Sequence, residues 1–286
     1  MKKFIAMALF SAMCVTSLAG CGSSNGSGGS SAEGGTQAAA ESDWEDVSAK
    51  GEMTIGMTLF APMNYYDENN NFVGFDTELA QAVGEKLGID INFVEINWDS
   101  KEIELNSKNI DCIWNGFTMN GREDEYTWSD PYIDNKQVMV VATDSGINSF
   151  DDLSGKLVET QADSSALAAL QGDQKKLADT FGSLTEIAEY NTAFMDLESG
   201  ACDAIAMDIG VAYYQINSRK NPDDYKVLDE EISSEQYAVG FKLGNEELRD
   251  KVQATLDEMA EDGTVAKIAE KYEDFGVPGS LCIGKK

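Results

Sequence analysis

The stretch TELAQAVGEKLGIDINFVEI, Thr77 to Ile96, decides the fold class. Leu79, Ala82, Val83 and Leu87 recur at helical spacing, Gly88 follows as a C-terminal stop, and INFVEI, Ile91 to Ile96, is a strand-like run. Upstream, MTIGM (Met53 to Met57) reads as a strand. Downstream, a polar helix runs through Leu105 and leads into DCIW, Asp111 to Trp114. A β-α-β-α-β order implies a mostly parallel sheet with helices on both faces, because parallel strands need long crossovers.

The pattern then restarts. KLVET (Lys156 to Thr160) is a strand, SALAALQ a helix, LTEIAEY (Leu184 to Tyr190) a strand, TAFMDLES a helix and CDAIAMD (Cys202 to Asp208) a strand. In both units a helix ends in a small polar turn and feeds a strand with an acid near its start, NSKNIDCIWNG in the first and ESGACDAIAMD in the second. Open α/β sheets bind ligands at the carboxyl ends of such strands. The tail adds YAVGF (Tyr237 to Phe241) as a strand and two helices, EELRDKVQATLDEMA and VAKIAEKY. It is too short for a third domain, and its return to the first unit would make a cleft with a two-strand hinge.

Composition narrows the chemistry. The 286 residues carry 21 Lys and Arg against 51 Asp and Glu, a formal charge of −30, which argues against a phosphate-neutralising face and a nucleic-acid partner. There is no histidine, which removes Ser-His-Asp and Cys-His catalysis and every His-ligated metal site.

Residues 1–21, MKKFIAMALFSAMCVTSLAGC, have a basic start, an apolar run and small residues leading to Cys21, the pattern of a secretory signal. The following GSSNGSGGSSAEGGTQAAAESD offers almost nothing to bury and reads as a random-coil tether. Within it, Gly22 to Gly26 matches G-x-S-x-G, but without a flanking strand or helix, or a histidine base, the match carries no chemistry. Cys112 and Cys202 lie in apolar runs and read as small buried hydrophobes. Asp67, Asn69, Asn71 and Glu78 occupy the first, third, fifth and twelfth places of an EF-hand loop, yet the sixth is Phe72 where Gly is required; a polar turn between two short strands is expected instead.

Several landmarks in order, FAPMNYYDENNNFVGFDTELAQAVGEKLG, WNGFTMNGRE, WSDPY, DDLSGKLVETQADSSA, SGACDAIAMD and DGTVAKIAEKY, span about Gly51 to Phe275. On them the chain resembles the solute-binding proteins of polar amino acid ABC importers, bacterial extracellular solute-binding protein family 3. Leu18-Ala19-Gly20-Cys21 likewise resembles a lipobox, whose cysteine is lipidated. The resemblance implies an α/β, two-lobe periplasmic-binding-protein fold of type II. It divides the chain into a signal peptide (1–20), a flexible tether (21–43), lobe 1 (44–133 and 235–286) and lobe 2 (134–234). It further implies a monomer outside the cell membrane, held by lipid on Cys21, with a free amino acid as ligand, an ABC permease and its ATPase as partners, and no cofactor, metal or catalytic residue.

A free amino acid presents a carboxylate and an ammonium on adjacent atoms, so a dry site needs an Arg fork and donors for one and a carboxylate for the other. By resemblance, Arg122 anchors the ligand carboxylate with Thr118 and the Gly116 backbone, aided by Ser164 and Ser165 at a helix start. Asp208 receives the ammonium, and Phe60, Trp98, Gln161 and Met207 face the ligand side chain. Trp114, mid-strand, reads as core. Two departures from the family pattern stand out: the Thr118 to Arg122 turn is one residue short, and Asp163 occupies the place of the commoner glycine, where its carboxylate is expected to point outward, as a helix cap. These side chains suggest a neutral or polar ligand, or a cationic one if Asp163 turns inward. The competing functions are a dehydratase-like lyase on the same fold, for which Asp163 is the candidate acid or base, and a sensing lipoprotein without a transporter.

Overall fold

The computed structural model describes residues 43–284. The signal sequence, Cys21 and the G-x-S-x-G match lie outside the described residues. The first part contains α1 (Asp43–Lys50), β1 (Glu52–Met57), β2 (Tyr65–Tyr66), β3 (Phe72–Val73), α2 (Phe75–Leu87), β4 (Asp90–Glu95), α3 (Lys101–Asn106), β5 (Cys112–Ile113) and β6 (Thr127–Trp128). Next come β7 (Ile133–Ala142), β8 (Leu157–Gln161), α4 (Ser165–Gln171), α5 (Lys175–Ala178), β9 (Ser183–Ile187), α6 (Tyr190–Ser199), β10 (Ala204–Asp208), α7 (Ile209–Asn217) and β11 (Tyr225–Tyr237). The chain ends with β12 (Gly240–Phe241), α8 (Glu246–Glu261), α9 (Thr264–Glu270) and α10 (Val277–Ser280).

Two five-stranded sheets result, ordered β4-β1-β5-β12-β6 and β11-β7-β10-β8-β9. Each contains the parallel trio expected from its β-α-β-α-β run: β4, β1 and β5 in the first, β10, β8 and β9 in the second. Antiparallel strands complete each sheet, β12 and β6 on one side, β7 and β11 on the other. The chain leaves the first sheet after Trp128, enters the second at Ile133, and returns between Tyr237 and Gly240. YAVGF is therefore not one strand: Tyr237 ends β11 and Gly240-Phe241 form β12, because the backbone changes sheets inside it. LTEIAEY is divided too, with β9 ending at Ile187 and Tyr190 opening α6.

The deciding stretch folds as its pattern requires. α2 buries Leu79, Ala80 and Val83, and Gly88 ends it at φ 71, a left-handed conformation that costs glycine nothing, with its N–H donating to the Gly84 carbonyl. Gly84 itself lets the helix approach β4, since a Cβ there would lie 2.5 Å from Ile91 Cγ1. Asp67 closes the β2–β3 turn by accepting from the Asn69 and Asn71 backbone N–H groups at 2.9 and 2.7 Å. Cys112 and Cys202 are buried thiols, and burial pushes Cys202 up to about 12. Among the described residues no helix is long and apolar enough to cross a membrane.

Candidate ligand-binding cleft

A cleft is lined from both sheets. From the first come Thr58 and Phe60 after β1, Trp98 after β4, and Asn115 to Thr118 with Arg122 after β5. The second contributes Gln161, Ser164 and Ser165 at the end of β8, Asp208 at the end of β10, and Gln137 within β7. All but Gln137 follow the carboxyl end of a parallel strand, where backbone turns free side chains from the ladder.

Arg122 is held in this cleft by the shortened turn. Its N–H donates to Met119 O at 3.0 Å, and Gly121 takes the φ of 79 that closes so tight a loop. The guanidinium lies 5.6 Å from the Phe117 ring centre; Nη1 donates to Thr118 O at 3.1 Å and Ser165 Oγ at 3.3 Å, and Nη2 to Asp163 O at 3.3 Å. Side chains attached to the two sheets thus meet across the cleft. Phe117 also takes the Trp98 ring edge-on at 5.3 Å, which fixes an aromatic wall.

Asp163 is not among the residues that line the cleft; its carboxylate pairs with Lys101, whose ammonium is buried and lies 4.8 Å from the ring centre of Trp98, a cleft residue. Burial pulls the Lys101 pKa down, while the Asp163 carboxylate opposes that shift. The helix cap expected of Asp163 belongs to its neighbour: Ser164 Oγ accepts from Leu167 N at 3.1 Å.

Beneath the cleft lies a buried polar cluster. Asp208 Oδ1 accepts from Tyr237 Oη at 2.5 Å and from Asn135 Nδ2 and Gln137 Nε2, each at 2.7 Å. Glu235 Oε1 accepts from the same two amides at 2.7 and 2.6 Å, and from Thr118 Oγ1 at 2.9 Å. Burial, then repulsion by Glu235, pushes Asp208 up to about 7, against the opposing effect of its three donors. Asp208 stands at the N-cap position of α7, yet its side chain makes no capping bond; it is committed to this cluster.

Of the ten ligand contacts expected, Phe60, Trp98, Gly116, Thr118, Arg122, Gln161, Ser164, Ser165 and Asp208 are brought together at the cleft, and Met207 is not. Met207 is fully buried in the apolar core with Ile205, Val138 and Val140, because successive strand residues face opposite ways and Asp208 takes the cleft side. Gly116 also differs in detail. Its N–H donates to Asp76 Oδ2 at 2.6 Å beneath the loop, so it is not a spare donor. Thr58, Asn115, Phe117 and Gln137 were not anticipated. Asn115 and Phe117 fall within the WNGFT landmark, and Asn115 ties its loop to β1 by accepting from Thr58 N at 3.0 Å and donating to Thr58 O at 2.9 Å. Only the alternation Ile133-Asn135-Gln137, placing two amides on one strand face, signals Gln137.

With this geometry in place, likeness to known proteins decides the family. Residues 53–276 match the model of the bacterial extracellular solute-binding proteins, family 3. The chain belongs to this family. The L-cystine-binding protein TcyA of Bacillus subtilis (strain 168) is 31% identical over 279 residues, covering 95% of this chain and 97% of that protein. A solved ABC uptake transporter substrate-binding protein from Streptococcus pneumoniae, with bound histidine, superposes with a TM-score of 0.78 at 30% identity, covering 81% of this chain and 96% of that one. The ancestral amino acid-binding protein AncCDT-1, described as a precursor of cyclohexadienyl dehydratase, is 27% identical with a TM-score of 0.73, covering 81% and 99%. The fold is thus the two-lobe, type II arrangement of amino acid-binding proteins, and this family member is an extracellular solute-binding protein of amino acid transport.

Proposed function

We propose that the chain captures a free amino acid with a neutral or polar side chain in the cleft between lobe 1 (44–133 and 235–286) and lobe 2 (134–234) and delivers it to an ABC permease, without chemical change. One observation carries the reading: the charged side chains that line the cleft are one Arg and one Asp, the complement of a zwitterion. Arg122 would take the carboxylate, with Ser165, and Asp208 the ammonium. The wall left for the side chain, Phe60, Trp98 and Gln161, is itself uncharged, and the same three residues border a second pocket lined by Glu95, Asp99, Glu186 and Glu189. The protein acts as a monomer outside the cell, tethered through lipid on Cys21. The ligands of its relatives, L-cystine and histidine, are in keeping with an amino acid site.

The test is calorimetry against the twenty amino acids and L-cystine, with native mass spectrometry of the purified protein to read any retained ligand. One ligand recovered unchanged after long incubation is expected. Failure of every amino acid to bind would sink the reading, and turnover of a bound ligand would replace it with an enzyme. Arg122→Ala should weaken binding by a factor of about 30 to several thousand, the usual cost of leaving one partner of a buried charge pair alone.

A further inference from the structure

Gln137 has an acceptor that the fold leaves unused. Its register partner on β10 is Asp208, while its strand neighbour on the same face, Asn135, lies opposite Glu235 on β11. Each of the two amide nitrogens donates to both carboxylates, at 2.6–2.7 Å. Carboxylate oxygens draw the nitrogen end of an amide toward them, so Oε1 of Gln137 is turned the other way. Among the described residues Oε1 has no hydrogen-bond partner, on a side chain that is 1% exposed and lines the cleft. Leaving such a buried acceptor unpaired is destabilising, because it has lost water without gaining a donor. A ligand that supplies the missing donor recovers that cost.

We propose that Gln137 Oε1 is a second acceptor for the ligand's α-ammonium, beside Asp208, and that this pair selects amino acids over 2-hydroxy acids. The inference rests on the amino acid reading of the cleft and deepens it. Three donors already converge on Asp208 Oδ1, so the ligand's first N–H is assigned to Oδ2 and a second to Gln137 Oε1. An ammonium has three N–H donors and serves both acceptors at once. A hydroxyl has one and must leave the other unpaired. Glu235 and Asp208 hold the amide in the orientation this requires, since rotating it would bring Oε1 against two carboxylates.

The experiment compares wild type, Gln137→Met and Asn135→Met by calorimetry. The probes are the tightest-binding member of the twenty amino acids and L-cystine, and its 2-hydroxy-acid counterpart. Asn135→Met removes the same pair of hydrogen bonds to the acids, from a residue that does not line the cleft. Gln137→Met should cut the preference for the amino acid by at least about tenfold, and Asn135→Met should leave it within about threefold. An unchanged preference in Gln137→Met, or an equal loss in both variants, overturns the inference while amino acid binding by the wild type stands. No binding of any probe by the wild type overturns the cleft reading and this inference together. If Gln137→Met does not fold, a crystal structure of the wild type with the bound amino acid decides. Oε1 within hydrogen-bond distance of the ligand nitrogen supports the inference, and an Oε1 beyond that reach refutes it.

Discussion

Asp76, in the first turn of α2, and Asp208, at the end of β10, are both buried carboxyls, and burial pushes each up to about 7. Asp76 is enclosed by the first sheet's own structure: its Oδ2 accepts from Gly116 N at 2.6 Å and Tyr132 Oη at 3.0 Å, and it does not line the cleft. Asp208 lines the cleft, shares both of its amide donors with Glu235, and is repelled by that second acid. A raised pKa therefore reports burial in both regions and function in neither. Placement does the sorting: one acid fixes the loop that carries Gly116, and the other stands where a ligand ammonium would offset its like-charged neighbour.

The comparison breaks most sharply when each acid is changed to its amide. Asp208→Asn keeps size but deletes the charge opposite a desolvated ammonium, so affinity should fall by about a hundredfold or more, whereas Asp76→Asn should leave affinity within about threefold. Calorimetry on the two variants checks this, and equal losses would show that Asp208 acts only through the fold. A protein-change against ligand-deamination cycle should give a coupling of at least about 1 kcal/mol at Asp208 and none at Asp76.

A smaller effect is expected from pH. Binding an ammonium requires ionised Asp208, whose free-state value is about 7. Affinity should therefore fall as pH drops below about 7, by up to about tenfold per unit, in wild type and Asp76→Asn alike, and stay flat in Asp208→Asn. A wild-type affinity constant from pH 5 to 8 would contradict the assignment.

Stability of the free protein sharpens the same contrast. The folded-state value of Asp76 lies above its unfolded value of 3.8, so between about pH 4 and 7 the folded state binds more protons. Its contribution is then fully present at low pH and is lost as pH rises through 7. Asp76→Asn should remove this part of the slope, on the order of 4 kcal/mol, readable as a flatter dependence of denaturation midpoint on pH. The smallest effect belongs to a charge near the cleft that is not among its lining residues. Asp163→Asn removes a half-exposed carboxylate from the buried Lys101 ammonium and should change affinity by no more than about threefold in calorimetry, while a loss of tenfold or more would place Asp163 in the ligand's reach.

Much of this site was legible before any coordinates. The loops at the carboxyl ends of strand-like runs follow from local pattern, whereas Arg122 and the serines at the start of α4 were named by the family resemblance. Met207 was placed at the ligand by the family resemblance; the structure buries it in the core, because Asp208, its neighbour on the strand, takes the cleft face. Lys101 was missed as the partner of Asp163 because 62 residues separate them, and a lone lysine in a polar helix reads as solvated.

The sequence by itself determined what depends on neighbours along the chain: the helix and strand periods, the glycine stop at Gly88, the two repeated β-α-β-α-β units, and the carboxyl-end loops. Only the tertiary structure decided which polar groups were to be buried together. Asn135, Gln137, Asp208, Glu235 and Tyr237 come from three strands, and nothing local to any of them distinguishes a buried acid from a solvated one. Strand register joined them, by setting Gln137 against Asp208 and Asn135 against Glu235. Once water is excluded there, each carboxylate must find donors within reach, and the amides of β7 are the donors that the register supplies.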